Sequence, residues 1–283
     1  MSCRRWCSSG RGITLSEIRA QALGDFVRVL RTRHTDRHPY GLARQELAQA
    51  LHISIGYMVK IESNAASSPA ASILDQLVDA LDLSVDERRH LFDLAHKTPT
   101  AREVVGPHSL ADYRAAIEPA QRLAMDSVVP HLMAYLDERW NIVACNTEYD
   151  RAFPGLQDAG NVLTWFFSSH YSQQVMVDWE AEARLTVAWL RALMGRYYAD
   201  DWAASLLATL KDYPTFCDFW EGTPVGFGRP SPFMRIRDPR SGGISIVHVQ
   251  VYSHLVDDYA MQVYLGVRIP TEAYGQLTRE TPK

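Results

Sequence analysis

The strongest constraint on the fold is a series of short amphipathic helix patterns within residues 24–96. Each pattern repeats apolar residues at helical spacing and is only a few turns long. Isolated helices of that length are marginal in water, so they must pack their apolar faces together. We therefore predict an all-α domain over residues 17–97, with N-caps at Ser54, Ser72 and Ser84. The predicted core residues are Leu23, Phe26, Val27, Leu30, Leu47, Ala48, Leu51, Met58, Ile61, Leu74, Leu77, Val78 and Leu81, with Val59 at the margin.

Charge is distributed unevenly along the chain. The whole sequence has a formal net charge of −4, whereas residues 1–60 contain ten Lys and Arg against four Asp and Glu, a net of +6. A basic segment attached to an acidic body is typical of a module that binds a polyanion such as nucleic acid. The alternative is an arginine-rich start that is merely solvated, and charge by itself does not separate the two.

The second and third helix patterns are joined by a tight turn at His52, as in a helix-turn-helix. They resemble the Xre/Cro-type helix-turn-helix domain of phage repressors and many bacterial regulators. The residues that carry the resemblance are Arg44 to Ala50 (RQELAQA), Ile53-Ser54, Tyr57 and Ile61-Glu62. That family usually has glycine in the turn, where the backbone φ is positive, and histidine is among the residues tolerated there.

The resemblance implies double-stranded DNA as a partner, with the third helix in the major groove and the second across the phosphate backbone. It also implies that Arg31 and Glu62 form an internal ion pair. A helical bundle without DNA function is the alternative. The residues that the resemblance places at base edges and phosphates are Arg44, Gln45, Ser54, Ile55, Gly56, Tyr57 and Lys60.

The sequence changes character at residues 98–109 (TPTAREVVGPHS), which have two prolines, one glycine and no periodicity. We predict a linker there, a mobile leader over 1–16, a second domain over 110–270 and a tail over 271–283. The predicted elements of the second domain are a helix over 112–128, a hairpin of 131–136 and 140–145, helices over 146–153, 161–167, 173–194, 201–210 and 215–220, and strands over 233–237, 244–252 and 260–267, with turns at 238–243 and 254–258.

Five strands with a helical insert predict an α+β domain with an antiparallel sheet, so the whole chain is multidomain. This element order is that of a PAS-type sensor domain. More specifically, the chain resembles MmyB-like bacterial transcription regulators along most of its length. Relatives usually carry tryptophan where Cys145 stands, which implies an enlarged or reshaped pocket floor. The segments that carry the resemblance, besides the helix-turn-helix, are residues 72–95, 134–146, 178–197 and 215–222.

The resemblance implies a non-covalent apolar effector, with a fatty acid as one candidate, and no other cofactor. Six of the seven tryptophans lie in the second domain, and small-molecule sites are mostly apolar with a few polar anchors. The alternative is that these aromatic residues form an ordinary core and that His248 occupies an ordinary sheet position. The candidate ligand-binding residues are His131, Met133, Trp165, Phe166, Trp179, Trp189, Arg191, Met194, Trp220, Phe233, Arg235, His248 and Tyr252.

Motifs for other classes are missing from the sequence. It has no GxxxxGK[ST] phosphate loop, no HExxH and no GxSxG elbow. Cys3 with Cys7, and His34 with His38, lack the second half of a zinc site. No apolar run approaches the roughly 18 residues of a membrane span, and the N-terminus lacks the apolar region of a secretory signal. We expect no catalytic site, no metal and no membrane partner, and a location in the bacterial cytoplasm at the nucleoid.

The residues and the resemblance together predict a ligand-responsive, sequence-specific transcription regulator. We expect a homodimer, because helix-turn-helix proteins typically grip half-sites about 34 Å apart. A ligand-free scaffold or partner-binding module, and an enzyme acting on an acyl or redox substrate, are the alternatives.

Overall fold

A computed structural model describes residues 21–66, 68–96, 109–196, 201–256, 259–270 and 272–275. The chain divides into two compact units. The first contains the described residues of Met1–Thr100, Ala188–Asp212 and Trp220–Gly228, and the second contains those of Ala101–Val187, Tyr213–Phe219 and Arg229–Lys283. The predicted leader, nearly all of the predicted linker and most of the predicted tail lie outside the described residues.

The N-terminal helices of the first unit are α1 (Leu23–Thr32), α2 (Arg44–Ala50), α3 (Ile55–Glu62), α4 (Ala71–Leu81) and α5 (Val85–Ala95). Two predicted caps are confirmed: Ser54 Oγ accepts the N–H of Tyr57 at 3.1 Å, and Ser84 Oγ accepts the N–H of Glu87 at 3.3 Å. The prediction for Ser72 is wrong, because α4 begins at Ala71, two residues before the start that a cap at Ser72 would give, and Ala70 is its N-cap.

The predicted core of this unit is confirmed for all but its margin. Leu23 and Val78 are partly buried against the core, and Ala192 and Val225 join the same apolar cluster. Val59 is 43% exposed, because the buried stripe of α3 runs through Met58, Ile61 and Glu62 instead. The predicted residues that are at most 5% exposed are Phe26, Val27, Leu30, Leu47, Ala48, Leu51, Met58, Ile61, Leu74, Leu77 and Leu81.

The remaining elements are α6 (Leu110–Ala116), α7 (Pro119–Ser127), β1 (Leu132–Asp137), β2 (Ile142–Cys145), α8 (Thr147–Ala152), α9 (Leu156–Ala159), α10 (Val162–Ser168), α11 (His170–Val175), α12 (Trp179–Arg196), α13 (Asp201–Leu210), α14 (Pro214–Gly222), β3 (Phe233–Arg237), β4 (Ile244–Val256) and β5 (Tyr259–Ile269). None of the helices within the described residues combines the length and apolar character that crossing a bilayer requires.

Two predicted helices are each divided in the structure. The helix over 112–128 is α6 and α7, because Pro119 lacks an N–H and starts a new helix at its first position. The helix over 173–194 is α11 and α12. Between them, Met176 forms a bridge with Ile236, and the N–H of Val177 donates to the carbonyl of Arg235 at 3.1 Å.

The five strands form one antiparallel sheet in the order β2-β1-β5-β4-β3, which confirms the predicted α+β class. The predicted turn over 254–258 is wrong in part. His254 to Val256 continue β4 and pair with Met261 to Tyr259. Residues 257 and 258 lie outside the described part of the chain.

Side chains alternate between the two faces of the sheet, and directly paired residues share a face. Ala134, Tyr264 and Val251 are paired across β1, β5 and β4, and we call their side the Tyr264 face. Tyr135 is paired with Val263, and this opposite side is the Tyr135 face. Tyr135 and Met261 pack there with Tyr113 and Met125, from α6 and α7, in one apolar cluster.

Asn146 joins the start of this sheet to the helices around it. It is buried, and it caps α8 by accepting the N–H of Tyr149 at 2.9 Å. Its side chain also accepts the N–H of Met133 at 3.2 Å and donates to the carbonyls of Met125 and His131. One satisfied side chain therefore ties α7, β1 and α8 together.

Candidate functional site

Helices α2 and α3 form a tightly closed helix-turn-helix. The N–H of Ile53 donates to the carbonyl of Ala48 at 3.0 Å, which closes the turn. His52 occupies the turn with φ of 52°, in the left-handed conformation that favours glycine. Histidine thus stands at the one position of the turn where a positive φ is predicted from the sequence.

The predicted DNA-binding residues all belong to α2, α3 and the N-cap of α3. Six of the seven are exposed, and Tyr57 is half-buried. Val59 is a further exposed residue of α3, although the sequence pattern predicts it at the margin of the core. Its exposure could have been predicted from helical spacing, because Val59 lies outside the i, i+3, i+4 apolar stripe of this helix.

Arg44 also has a partner inside the domain. Glu62 is 1% exposed and accepts hydrogen bonds from Arg31 Nε at 2.5 Å and from Arg44 Nε at 2.9 Å. Burial by itself raises the pKa of Glu62, but the hydrogen bonds from the two guanidinium groups outweigh it and hold the pKa below its ordinary value. The expected pair of Arg31 and Glu62 is present, and Arg44 is held beside the exposed start of α2.

Helices of the second unit bring together an aromatic cluster, here called the insert aromatic cluster. Trp165 is buried, and its ring meets those of Phe153 and Phe166 edge to face. Phe167 makes similar contacts with Trp179 and with two phenylalanines of α14. The members of the cluster are Phe153, Trp165, Phe166, Phe167, Trp179, Phe216 and Phe219.

Tyr264 places a polar group at this cluster. Its ring lies edge to face with Tyr149 and Phe153, with centroid separations of 5.3 and 6.4 Å. Its hydroxyl oxygen is buried and has no hydrogen-bond partner among the described residues. Burial raises the pKa of Tyr264, so the hydroxyl stays protonated and can donate.

An ion pair also contributes to the electrostatics of this site. Arg229 Nη1 donates to Glu182 Oε2 at 2.8 Å, and both side chains are largely buried. The two charges act in opposite directions on the pKa of Tyr264. The site thus combines an apolar aromatic wall, one buried hydroxyl and one buried ion pair.

A family model of the MmyB-like transcription regulator ligand-binding domain matches residues 117–265, which is more than half of the chain. The chain belongs to the MmyB-like transcription regulators. A helix-turn-helix domain model matches residues 22–91. No curated protein matches the chain. The two matched families are regulatory, and together they support a ligand-responsive transcription regulator that binds DNA and a small molecule.

In this MmyB-like regulator, the predicted ligand residues do not form one site. Trp165, Phe166 and Trp179 belong to the insert aromatic cluster. The register of the sheet places a second group on the Tyr135 face, away from the Tyr264 hydroxyl. The members of that second group are Met133, Phe233, Arg235, His248 and Tyr252.

Other predicted residues of the regulator have local partners. Arg235 donates to Asp178 at 2.8 Å, and His131 Nδ1 accepts the backbone N–H of Arg268 at 3.2 Å. Arg191 lies over the ring of Trp220, 4.5 Å from its centroid, and burial lowers the pKa of Arg191 to about 10. With Trp189 and Met194, these two residues belong to the first unit.

Three residues of this site, Tyr264, Glu182 and Arg229, are not among those predicted from the sequence. Strand periodicity could have predicted which residues of β5 share a face with Tyr264, since every second side chain of a strand points to the same side. Cys145 pairs with Ala134 and therefore lies on the Tyr264 face. Burial and the nearby Asp150 raise the pKa of the Cys145 thiol to about 11. Among the described residues, no three His, Cys, Asp or Glu side chains are grouped so as to hold a metal ion.

Proposed function

We propose that this MmyB-like regulator binds an apolar carboxylic acid, with a fatty acid as the leading candidate, between the insert aromatic cluster and the Tyr264 face of the sheet. Occupancy of this site changes the affinity of a homodimer for its operator DNA. The protein works on the nucleoid, in the bacterial cytoplasm.

The buried hydroxyl of Tyr264 carries the ligand proposal. A buried donor without a hydrogen-bond partner costs free energy, and such groups are rare in native structures. A carboxylate bound beside Tyr264 would accept this hydrogen bond. An acyl chain would lie against the aromatic cluster, where each buried methylene contributes about 0.8 kcal/mol.

The exposed face of the helix-turn-helix supports the DNA proposal. Ser54, Ile55, Gly56 and Lys60 lead α3 or lie along it, free to meet base edges and phosphates. Arg44, Gln45 and Tyr57 complete the proposed interface. Because the ion pair with Glu62 orients Arg44 before DNA arrives, its guanidinium loses less conformational freedom on binding.

Helix α12 has residues in both units, so the polypeptide chain itself connects the unit of the proposed ligand site to the unit that contains the helix-turn-helix. Its residues up to Val187 belong to the second unit, and those from Ala188 belong to the first, where Ala192 is part of the apolar core. A ligand that prefers one position of this helix shifts the equilibrium toward the corresponding state. Linkage then requires that operator DNA changes the affinity for the ligand by the same factor.

Binding of palmitate and of hexadecanol to the purified full chain tests the ligand proposal. Tyr264→Phe should weaken palmitate binding about tenfold, the loss of a hydrogen bond to a charged group. It should weaken hexadecanol binding less, because the neutral hydroxyl of hexadecanol accepts a weaker hydrogen bond from Tyr264. Tyr135→Phe, on the other face of the same sheet, is the matched control and should bind both ligands like the wild type.

Two further measurements complete the test. Mass spectrometry of an organic extract of the denatured protein should find an apolar acid in the wild type and less of it in Tyr264→Phe. Palmitate should change the affinity of the wild type for its selected DNA site. An empty extract together with no binding of either ligand would contradict the proposal.

A further inference from the structure

A basic groove lies in the second unit, where α8 meets the turn between β3 and β4. Its volume is about 270 Å³, and both Ala152 and Ile236 in its wall are buried. Glu148 and Asp238 supply the carboxylates of its lining. Its arginines, which define the arginine groove, are Arg151, Arg237, Arg240 and Arg268.

The carboxylate of Glu148 forms ion pairs with two of these arginines. Arg151 Nη1 lies 2.8 Å from Glu148 Oε1, and Arg268 Nη2 lies 3.6 Å from Glu148 Oε2. Arg268 also donates to the carbonyl of Pro130 at 3.0 Å and to Ser245 Oγ at 3.2 Å. These contacts hold both guanidinium groups in the wall of the groove.

The other carboxylate is engaged by the backbone of the turn. Asp238 Oδ1 accepts the N–H of Arg240 at 2.8 Å and that of Ser241 at 2.9 Å. These bonds order the turn that presents Arg240. Neither Arg237 nor Arg240 has a salt bridge with any residue in the described part of the chain, and both are exposed.

The arginine groove is therefore concave and has a surplus of positive charge. Guanidinium groups present a planar fork of donors that matches phosphate oxygens two at a time. A diphosphate can meet the paired and the unpaired arginines at once, whereas a single phosphate is small for this volume. An adjoining groove of about 480 Å³ shares Arg151 and Arg240 and leaves room for an organic group.

We propose that the arginine groove binds a ligand with two adjacent phosphate groups, either a diphosphate ester or inorganic pyrophosphate. This would be a second small-molecule site of the protein, and binding there does not require the proposed apolar effector.

Calorimetric titration of the full chain at low ionic strength tests this proposal, with inorganic pyrophosphate and ADP as separate probes. Pyrophosphate should bind once per chain, and the double variant Arg237→Gln/Arg240→Gln should bind it about tenfold more weakly. Arg88→Gln/Arg122→Gln removes two exposed arginines elsewhere and should bind it like the wild type. Thermal unfolding checks that both variants are folded.

The two probes separate the sources of phosphate. ADP binding at least as tight as pyrophosphate binding supports a diphosphate ester, and exclusion of ADP supports inorganic pyrophosphate. No binding of either probe, or an equal loss in the two double variants, would overturn the proposal. Palmitate binding is measured independently, so failure here leaves the proposed effector untouched.

Discussion

The carboxylate of Glu62 joins three helices of the DNA-binding region. It accepts hydrogen bonds from Arg31 of α1 and Arg44 of α2, and the carbonyl of Glu62 itself accepts one from Arg28 Nη2 at 2.6 Å. A buried carboxylate is stable only when it is paired in this way. Glu62 therefore fixes the positions of α1 and α2 against the helix that carries the proposed DNA contacts.

Glu62→Gln should lower the free energy of unfolding by about 3 kcal/mol, because it leaves the two arginines without their buried partner. Chemical denaturation of the variant and the wild type measures this loss. Asp75→Asn breaks the exposed pair of Asp75 and Arg88 and is the matched control, with an expected change within about 1 kcal/mol. Equal losses in the two variants would contradict the role given to Glu62.

The same carboxylate gives the unfolding free energy a pH dependence. The pKa of Glu62 in the folded state lies below its ordinary value of 4.5. The stability that it contributes is therefore complete above the ordinary pKa and is lost as the pH falls through the folded pKa. Denaturation measured between about pH 5 and pH 3 should show a steeper loss for the wild type than for Glu62→Gln. Parallel curves for the two proteins would be the contrary result.

Lys60→Ala should weaken DNA binding by the loss of one phosphate contact. The slope of the logarithm of affinity against the logarithm of salt concentration should fall in magnitude by about one unit. Fluorescence anisotropy with duplex DNA at several salt concentrations measures the slope. Arg122→Ala, an exposed change in α7, should leave the slope as it is, and an unchanged slope for Lys60→Ala would place Lys60 off the phosphates.

At the scale of elements, the close approach of α1 and α3 depends on a residue without a side chain. A Cβ at Gly24 would lie 2.3 Å from the carbonyl oxygen of Ile61 and 2.7 Å from the backbone of Glu62. The N–H of Gly24 donates to Asn64 Oδ1 at 2.7 Å, just beyond the end of α3. The two helices can meet at this distance only while residue 24 is glycine.

Gly24→Ala should therefore destabilise the protein by about 1 to 3 kcal/mol, since the backbone of α3 has to move. Thermal unfolding of the variant measures the effect. Gly56→Ala is the control, because a Cβ there meets nothing closer than 4.0 Å and alanine favours the helix by roughly 0.5 kcal/mol or more. A stabilised Gly24→Ala variant would show that α1 and α3 lie farther apart.

Helical periodicity predicts segments better than it predicts their ends. The apolar pattern over 173–194 continues through the break between α11 and α12, where Met176 and Val177 pair with β3 instead. That pairing lies about 60 residues away along the chain, beyond the reach of any local pattern. The cap at Ser84 was predictable because both of its partners lie within one turn of helix.

At the scale of the whole molecule, we expect two copies of the chain to act together on DNA. Light scattering of the purified protein should give twice the mass of one chain, and with its selected DNA site it should give that mass plus the mass of the DNA. The physical reason is that one short helix buries too little surface for specific binding, and two half-sites add their free energies. A single-chain mass under both conditions would remove the basis for the homodimer.

The position of the proposed ligand site could not be predicted from the sequence, because it depends on which residues share a face of the sheet. The sequence places Trp165 and His248 in one domain. Nothing in it says that the aromatic cluster containing Trp165 meets Tyr264 through Phe153, whereas His248 lies on the other face of the sheet. Pairing registers decide this: Tyr264 lies opposite Val251, and His248 lies opposite Val267. A shift of one residue would exchange the two faces, so the site depends on contacts between distant strands.

Local patterns in the sequence are enough to predict the helix-turn-helix, the core of the first unit and the order of the α+β elements, because each follows from residues a few positions apart. Four other features depend on how the chain folds: the three-way contact of Glu62, the break before α12, the buried hydroxyl of Tyr264 and the arginine groove. Each of these joins residues separated by tens of positions. Their energies depend on burial and register, which a local pattern does not encode.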